Sequence, residues 1–118
     1  MQPELPKVKA DIDKTVWVLV NLLTNAIHYS SEQATIVVEV YRDNGNVIFG
    51  VKDSGKGIDK RYRERVFDRY FQVPGSPKTG TGLGLAICKE FIEAQGGTIG
   101  VETEVGMGSR FYFGLEAV

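Results

Sequence analysis

Apolar residues crowd the segment Val16 to Ile27. At about 100° per residue, Val16, Leu19, Val20, Leu23 and Ile27 fall on one side of a helix. That stripe predicts a core-facing helix, capped at Asp11 or Asp13 and running to about Tyr29. Ahead of it, Val8 to Ala10 reads as a short strand after Pro3 and Pro6. Thr35 to Arg42 and Val47 to Asp53 are rich in β-branched residues and flank Asp43-Asn44-Gly45-Asn46. Asn-Gly tolerates the backbone angles of a tight turn, so these two runs predict a hairpin. Asp59 can cap a second, charged helix reaching about Tyr70. Gln72 to Gly82 contains Pro74, Gly75, Pro77 and Gly80 and predicts a loop. A third helix is expected from about Leu83 to Gln95, stopped by Gly96-Gly97. Thr98 to Glu104, a glycine-rich turn and Arg110 to Leu115 form a last hairpin. The order β-α-β-β-α-α-β-β predicts an α+β fold. Its expected form is a two-layer sandwich, with helices packed on one face of a mixed, largely antiparallel sheet. At 118 residues the chain suits one domain, 1–118.

Charge narrows the partners. Lys plus Arg number 14 against 15 Asp plus Glu, so the basic excess of a nucleic-acid groove is missing. Cys88 is the one cysteine, which rules out an intrachain disulfide and fits a reducing compartment. Set among Leu85, Ile87, Phe91 and Ile92, it is expected to be core. The longest apolar run, Val16 to Val20, ends at Asn21, far short of the ~20 residues of a membrane span. The opening Met-Gln-Pro-Glu-Leu-Pro lacks the basic-then-apolar order of a secretory signal.

Candidate chemistry sits on one helix face and three glycine-bearing turns. Asn21, Asn25 and His28, spaced i, i+4, i+7, share a side of the first helix away from the apolar stripe. Asparagine is a poor helix former, so two stacked mid-helix point either to a solvated face or to a ligand. An amide carbonyl is a hard oxygen donor suited to Mg²⁺. Asp53-Ser54-Gly55-Lys56-Gly57-Ile58 directly follows a strand. It reads as a plain strand-to-helix turn, or as a place where Gly55 and Gly57 admit a flat ligand and Asp53 accepts a hydrogen bond from an exocyclic amine. Gly80-Thr81-Gly82-Leu83-Gly84-Leu85-Ala86 opens the third helix and reads either as a structural turn or as a phosphate site, where bare N–H groups suit an anion. It lacks the Gly-Lys-Ser/Thr of a P-loop and follows a loop, unlike a dinucleotide fingerprint. Gly106-Met107-Gly108-Ser109 reads as the turn of the final hairpin.

In this order, the segments resemble the histidine-kinase branch of the family shared with gyrase-type ATPases and their chaperone relatives. Asn21-Leu22-Leu23-Thr24-Asn25-Ala26-Ile27-His28-Tyr29-Ser30 looks like the N box, and Asp53 to Gly57 like the G1 box. Phe67-Asp68-Arg69-Tyr70-Phe71 is similar to the F box, Gly80 to Ala86 to the G2 box, and Gly106 to Ser109 to the G3 segment. The resemblance spans about Leu5 to Leu115. It implies that ATP and Mg²⁺ are bound, with Asn25 on the metal and Asn21 close to the phosphates. Asp53 would take the adenine amine, and Tyr29 and Ile58 would line the base pocket. Gly80, Thr81, Gly82, Leu83 and Gly84 would cradle phosphates, and Phe67 to Thr79 would form the ATP lid. Phe67, Tyr70 and Phe71 are expected to pack at its hinge.

The chain departs from the family pattern at the phosphates. Many members carry Lys where His28 stands and Arg where Gln72 stands; Tyr70 replaces the usual Phe, and the lid is short. Lys56, Arg69 and Lys78 are the candidates to supply positive charge. Gyrase-like relatives place a general-base Glu where this chain has Asn21. An amide cannot abstract a proton, so the expected chemistry is phosphoryl transfer by positioning rather than hydrolysis. In the resembled family the acceptor is a histidine on a separate helical dimerisation domain, and the phosphoryl group then passes to a response regulator. The one histidine here, His28, lies in the N box and is no acceptor. The chain is therefore expected to be the catalytic domain of a longer kinase, inactive without its phosphoacceptor domain. The domain is expected to be cytoplasmic and monomeric, touching neither nucleic acid nor membrane, whether or not the parent protein is anchored. Two other readings stay open: a non-catalytic nucleotide-sensing module and an anti-sigma-type serine kinase.

Overall fold

The computed structural model describes residues 10–30, 34–74 and 83–117. Their elements are α1 (Ile12–Tyr29), β1 (Val37–Asp43), β2 (Asn46–Asp53), α2 (Lys60–Arg63), α3 (Gly84–Ala94), β3 (Thr98–Glu104) and β4 (Gly108–Glu116). The strands form one sheet in the order β1-β2-β4-β3, and every described pairing is antiparallel. Helices α1 and α3 pack against each other and onto this sheet, which gives the expected two-layer α+β architecture. The expected first strand lies outside the described residues except for Ala10, which is not in a strand.

Alternation along the two central strands defines the core. Successive side chains of a strand point to opposite faces, so Val47, Phe49, Val51 and Asp53 of β2 share one face. Ser109, Phe111, Phe113 and Leu115 of β4 share the same one. The register sets Phe49 opposite Phe113 and Val51 opposite Phe111. The Phe49 and Phe113 rings stack with centroids 4.9 Å apart. Phe113 and Leu115 are fully buried, as are Leu22 and Val18 of α1 and Ile92 of α3. Each such side chain contributes roughly 1.5–3 kcal/mol of apolar burial. Cys88 is also fully buried, and burial pushes its thiol pKa up to about 12, so it is the inert core residue expected.

Two expectations are corrected. The buried stripe of α1 is Val18, Leu22 and Ala26; Val16, Val20 and Ile27 are exposed, with Leu19 and Leu23 at the margin. Val16 to Val20 is apolar all round, so periodicity alone cannot select its inner side. Contacts with α3 and β2 select it, and Trp17 turns its ring edge-on to Phe91 of α3. The second helix ends at Arg63 and does not reach Tyr70. Beyond it, Arg65, Asp68 and Phe71 each donate a backbone N–H to the carbonyl three residues earlier. These tight turns bring Tyr62, Val66, Phe67 and Phe71 onto the core, and Tyr70 ends the segment at φ 65°. Asp11 and Asp59 cap α1 and α2 as expected, accepting from Lys14 N–H and Arg61 N–H.

Candidate functional site

The inward rows of β2 and β4 both end in a polar residue. Asp53 continues Val47-Phe49-Val51 and Ser109 continues Leu115-Phe113-Phe111, and the register sets the two opposite each other. Asp53 is 4% exposed and Ser109 6%, the buried polar pair of an otherwise apolar core. Asp53 Oδ1 accepts the N–H of Gly55 at 2.9 Å and the N–H of Ser109 at 3.3 Å. Its Oδ2 has no hydrogen bond among the described residues, and Asp53 lines a cavity of about 890 Å³. The carboxylate is thus oriented by backbone and leaves one acceptor oxygen for a ligand.

Ile58, Val73, Val105 and Phe111 supply apolar wall to this cavity. Ser30, His28, Lys56, Asp59 and Arg61 bring polar atoms to it. Arg61 is committed locally. Its backbone N–H, and then its guanidinium, hold the Asp59 carboxyl below the usual carboxylate range. Exposed Lys56 is in no described ion pair.

The loop after β2 takes its shape from the β3–β4 turn. Lys56 carbonyl accepts Gly106 N–H at 2.7 Å, and Ile58 N–H donates to Thr103 Oγ1 at 2.8 Å. Gly57 has φ 73°, and a Cβ there would lie 2.0 Å from Glu104 O. Gly108 has φ 80°, and a Cβ there would lie 2.1 Å from Asp53 O. These glycines are required by backbone meeting backbone. Of the two readings left open for Gly57, this contact supports a structural turn, while Gly57 also lines the cavity. The last turn was expected only to close its hairpin, whereas it also clamps the loop that carries Asp53. Ser109 and Thr103, which hold that loop, were missed by sequence reasoning. The alternation ending in Ser109 opposite Asp53 was the signal available.

Asn21 and Asn25 are half-buried on α1 and are not among the residues lining the cavity. Asn21 Nδ2 donates to Trp17 O at 2.8 Å, and its Oδ1 lies at the start of α3, 3.2 Å from where a Cβ on Gly84 would stand. Asn21 is therefore packed beside the first turn of α3 rather than freely solvated. Asn25 makes no side-chain hydrogen bond among the described residues. Exposed His28 lines the cavity from the last turn of α1. Leu83 precedes α3 and offers no side-chain cap to its first N–H groups.

Gly55, Gly57 and Ile58 are thus brought together with Asp53 and His28 around one cavity. Arg69 is not among its lining residues. It pairs with Glu90 of α3, and that hydrogen bond first, then the charge, holds the guanidinium pKa above its usual value. Lys78, Gly80, Thr81 and Gly82, and the side chain of Tyr29, lie outside the described residues. Of the lid hinge, Phe67 packs edge-on to Phe111 and Phe71 against Tyr62, while Tyr70 is 70% exposed and departs from the packing expected of it.

A sheet covered on one face by helices, with a buried carboxylate at its end flooring a cavity, defines a ligand-binding α+β domain. The chain belongs to the histidine kinase-, DNA gyrase B- and HSP90-like ATPase family, which matches residues 10–118. It is 41% identical over 109 residues to the alginate biosynthesis sensor protein KinB of Pseudomonas aeruginosa, covering 92% of this chain and 18% of KinB. The chain therefore spans under a fifth of that relative. Among solved structures, the mycobacterial sensor histidine kinase MprB superposes with a TM-score of 0.85 at 28% identity, covering 93% of this chain and 76% of that one. Full-length ShkA in complex with AMPPNP gives a TM-score of 0.83 at 32% identity, over 97% of this chain and 24% of ShkA.

Proposed function

We propose that this chain is the catalytic domain of a sensor histidine kinase. It holds Mg-ATP and presents the γ-phosphoryl group to a histidine on a separate dimerisation domain. A response regulator then receives the group. The observation that carries the reading is Asp53: a buried carboxylate, fixed through Oδ1 by two backbone N–H groups, with Oδ2 left for an adenine amine. Ile58 provides an apolar surface for the base. The AMPPNP complex of ShkA supports an adenine nucleotide as the ligand.

A magnesium ion held chiefly by phosphates keeps its waters and would need few oxygen ligands from the chain. Asn25, whose amide oxygen has no hydrogen bond among the described residues, would be its ligand. When bound, Mg²⁺ neutralises phosphate charge. Asn21 lies beside the uncapped start of α3, where backbone N–H groups suit an anion. Being an amide, Asn21 positions and does not activate water, which favours transfer to an external acceptor over hydrolysis. His28 and Lys56 line the cavity and are the nearest candidates for phosphate charge; Lys78 stays a candidate on sequence grounds. No described helix is long and apolar enough to cross a membrane. We place the domain in the cytoplasm, as an isolated monomer.

Two measurements test this. Mixed with Mg-ATP and a histidine-kinase dimerisation helix pair, the domain is expected to generate acid-labile phosphate on the helices. Nucleotide binding without transfer would support a sensing module instead. In calorimetry, Asp53→Asn should weaken ATP and ADP alike, by the ~1.5–3 kcal/mol of a charged hydrogen bond. Unchanged affinities would remove Asp53 from the site.

A further inference from the structure

The apolar stripe expected to face the core from α1 exists, but it faces outward. Ile12, Val16, Val20 and Ile27 are 52–77% exposed, and half-buried Leu23 lies between them. At about 100° per residue these five fall within an arc of roughly 80° and run ~22 Å along the helix. Single exposed apolar residues are ordinary, whereas an aligned row of them marks a surface that is covered in use.

The other sides of α1 are taken. Val18, Leu22 and Ala26 are buried in the core. Trp17 meets Phe91 of α3 edge-on, Lys14 Nζ stands 5.4 Å from the same ring, and Asn21 lies beside Gly84. These three side chains sit on the flank of α1 away from the stripe. In the sheet order β1-β2-β4-β3, α1 packs on β2 and α3 on β4 and β3, so the stripe lies on the β1 side of α1. The inner side of β1 is open there: Val38, which shares a face with buried Val51, is 49% exposed. The stripe and β1 thus form two walls of an apolar corner that no described element fills.

A corner of this shape receives a rod. A flat membrane surface cannot touch both walls, while apolar residues three and four apart over ~22 Å match the apolar face of a second helix. We propose that this corner is the docking site for an amphipathic helix carried by the same kinase outside residues 1–118. Two observations favour a tethered occupant over a second copy of the domain. The chain covers 18% of KinB and 24% of ShkA, so proteins of this kind have ample further chain to supply the helix. A row of so few side chains falls short of the roughly 800 Å² per partner that a free complex needs, whereas a tether raises the effective concentration to the order of millimolar. The proposal rests on this chain being part of a longer kinase. It does not depend on the nucleotide site, because no stripe residue lines the cavity.

The test uses the full-length kinase that carries this domain, with Val20→p-benzoylphenylalanine as a photo-crosslinker and peptide mapping as the readout. The expected product joins position 20 to a helical segment of the kinase outside residues 1–118. Adding Val16→Lys and Ile27→Lys should cut the crosslinked fraction by roughly tenfold or more, because docking would then bury unpaired charge. In the isolated domain the same two lysines should leave Tm and ATP affinity unchanged, since both positions are exposed there. Absence of a crosslink overturns the proposal, as does a crosslink to the same domain of a second copy, to lipid or to another protein. A yield that the lysines leave unchanged overturns it too. So does an isolated domain that they unfold, which would place the stripe inside its own fold. Failure of the wild-type domain to bind ATP would overturn the nucleotide reading alone and leave the crosslink result standing.

Discussion

The Asp53 loop and the polar face of α1 are built differently. The Asp53 loop is anchored in the sheet: Asp53 and Ser109 are buried, Gly55 N–H bonds Asp53 within the loop, and backbone groups of Lys56, Ile58, Gly106 and Ser109 tie the loop to β3, β4 and the turn between them. On α1, the expected chemistry rests on side chains that stand alone: among the described residues Asn21 bonds its own helix and Asn25 makes no side-chain hydrogen bond, neither lines the cavity, and His28, which does, is exposed. A backbone-held site tolerates little substitution, because its geometry belongs to several strands at once. A site of single side chains can exchange one residue without disturbing the rest. The departures from the family pattern at His28 and Gln72 fall on the phosphate side of the expected site, whereas Asp53 to Gly57 keeps its motif whole.

That contrast can be broken first at Gly108. Gly108→Ala places a Cβ against Asp53 O at an unfavourable positive φ, and should destabilise the domain by on the order of 3 kcal/mol. It should also weaken ATP and ADP together. Denaturant unfolding and calorimetry check both effects. A variant as stable as wild type would show that the turn does not clamp the loop.

On the polar face of α1, Asn25→Ala should leave the fold intact, since Ala favours helix and the amide has no described partner. The Mg²⁺-dependent part of ATP affinity should drop by roughly tenfold, the loss of about 1.4 kcal/mol of metal ligation. Circular dichroism together with calorimetry with and without Mg²⁺ distinguishes this from unfolding. An unchanged Mg²⁺ effect would make Asn25 structural.

The smallest effect is expected at His28. Its side chain is exposed at the cavity wall, where screening is strong. His28→Lys supplies a charge that does not depend on pH, and at about pH 8 it should tighten ATP binding a few-fold, with ADP affected less. Equal change for both nucleotides would place His28 away from the terminal phosphate.

Much of this fold was legible before any coordinates. Both hairpins, the caps at Asp11 and Asp59, and the extent of α3 follow from turn chemistry and period, because these are local properties of a few neighbouring residues. The motif order likewise pointed to the family and to Asp53. Local reasoning failed wherever the deciding neighbour was remote in sequence. The inner face of α1 depends on α3 and β2, since an all-round apolar stretch carries no directional signal of its own. The short α2 depends on Tyr62, Val66, Phe67 and Phe71 all reaching one core, which three-residue turns allow and a continued α-helix does not. Gly57 read as a turn or ligand-loop glycine and Gly108 as a hairpin glycine; only the close approach of Glu104 O and Asp53 O reveals their shared task. Composition and spacing bring Asp53 to the end of a strand. The antiparallel register then sets Ser109, 56 positions away, across from it, and the β3–β4 pairing sets Thr103 beside Ser109, because strand pairing can join residues remote in sequence.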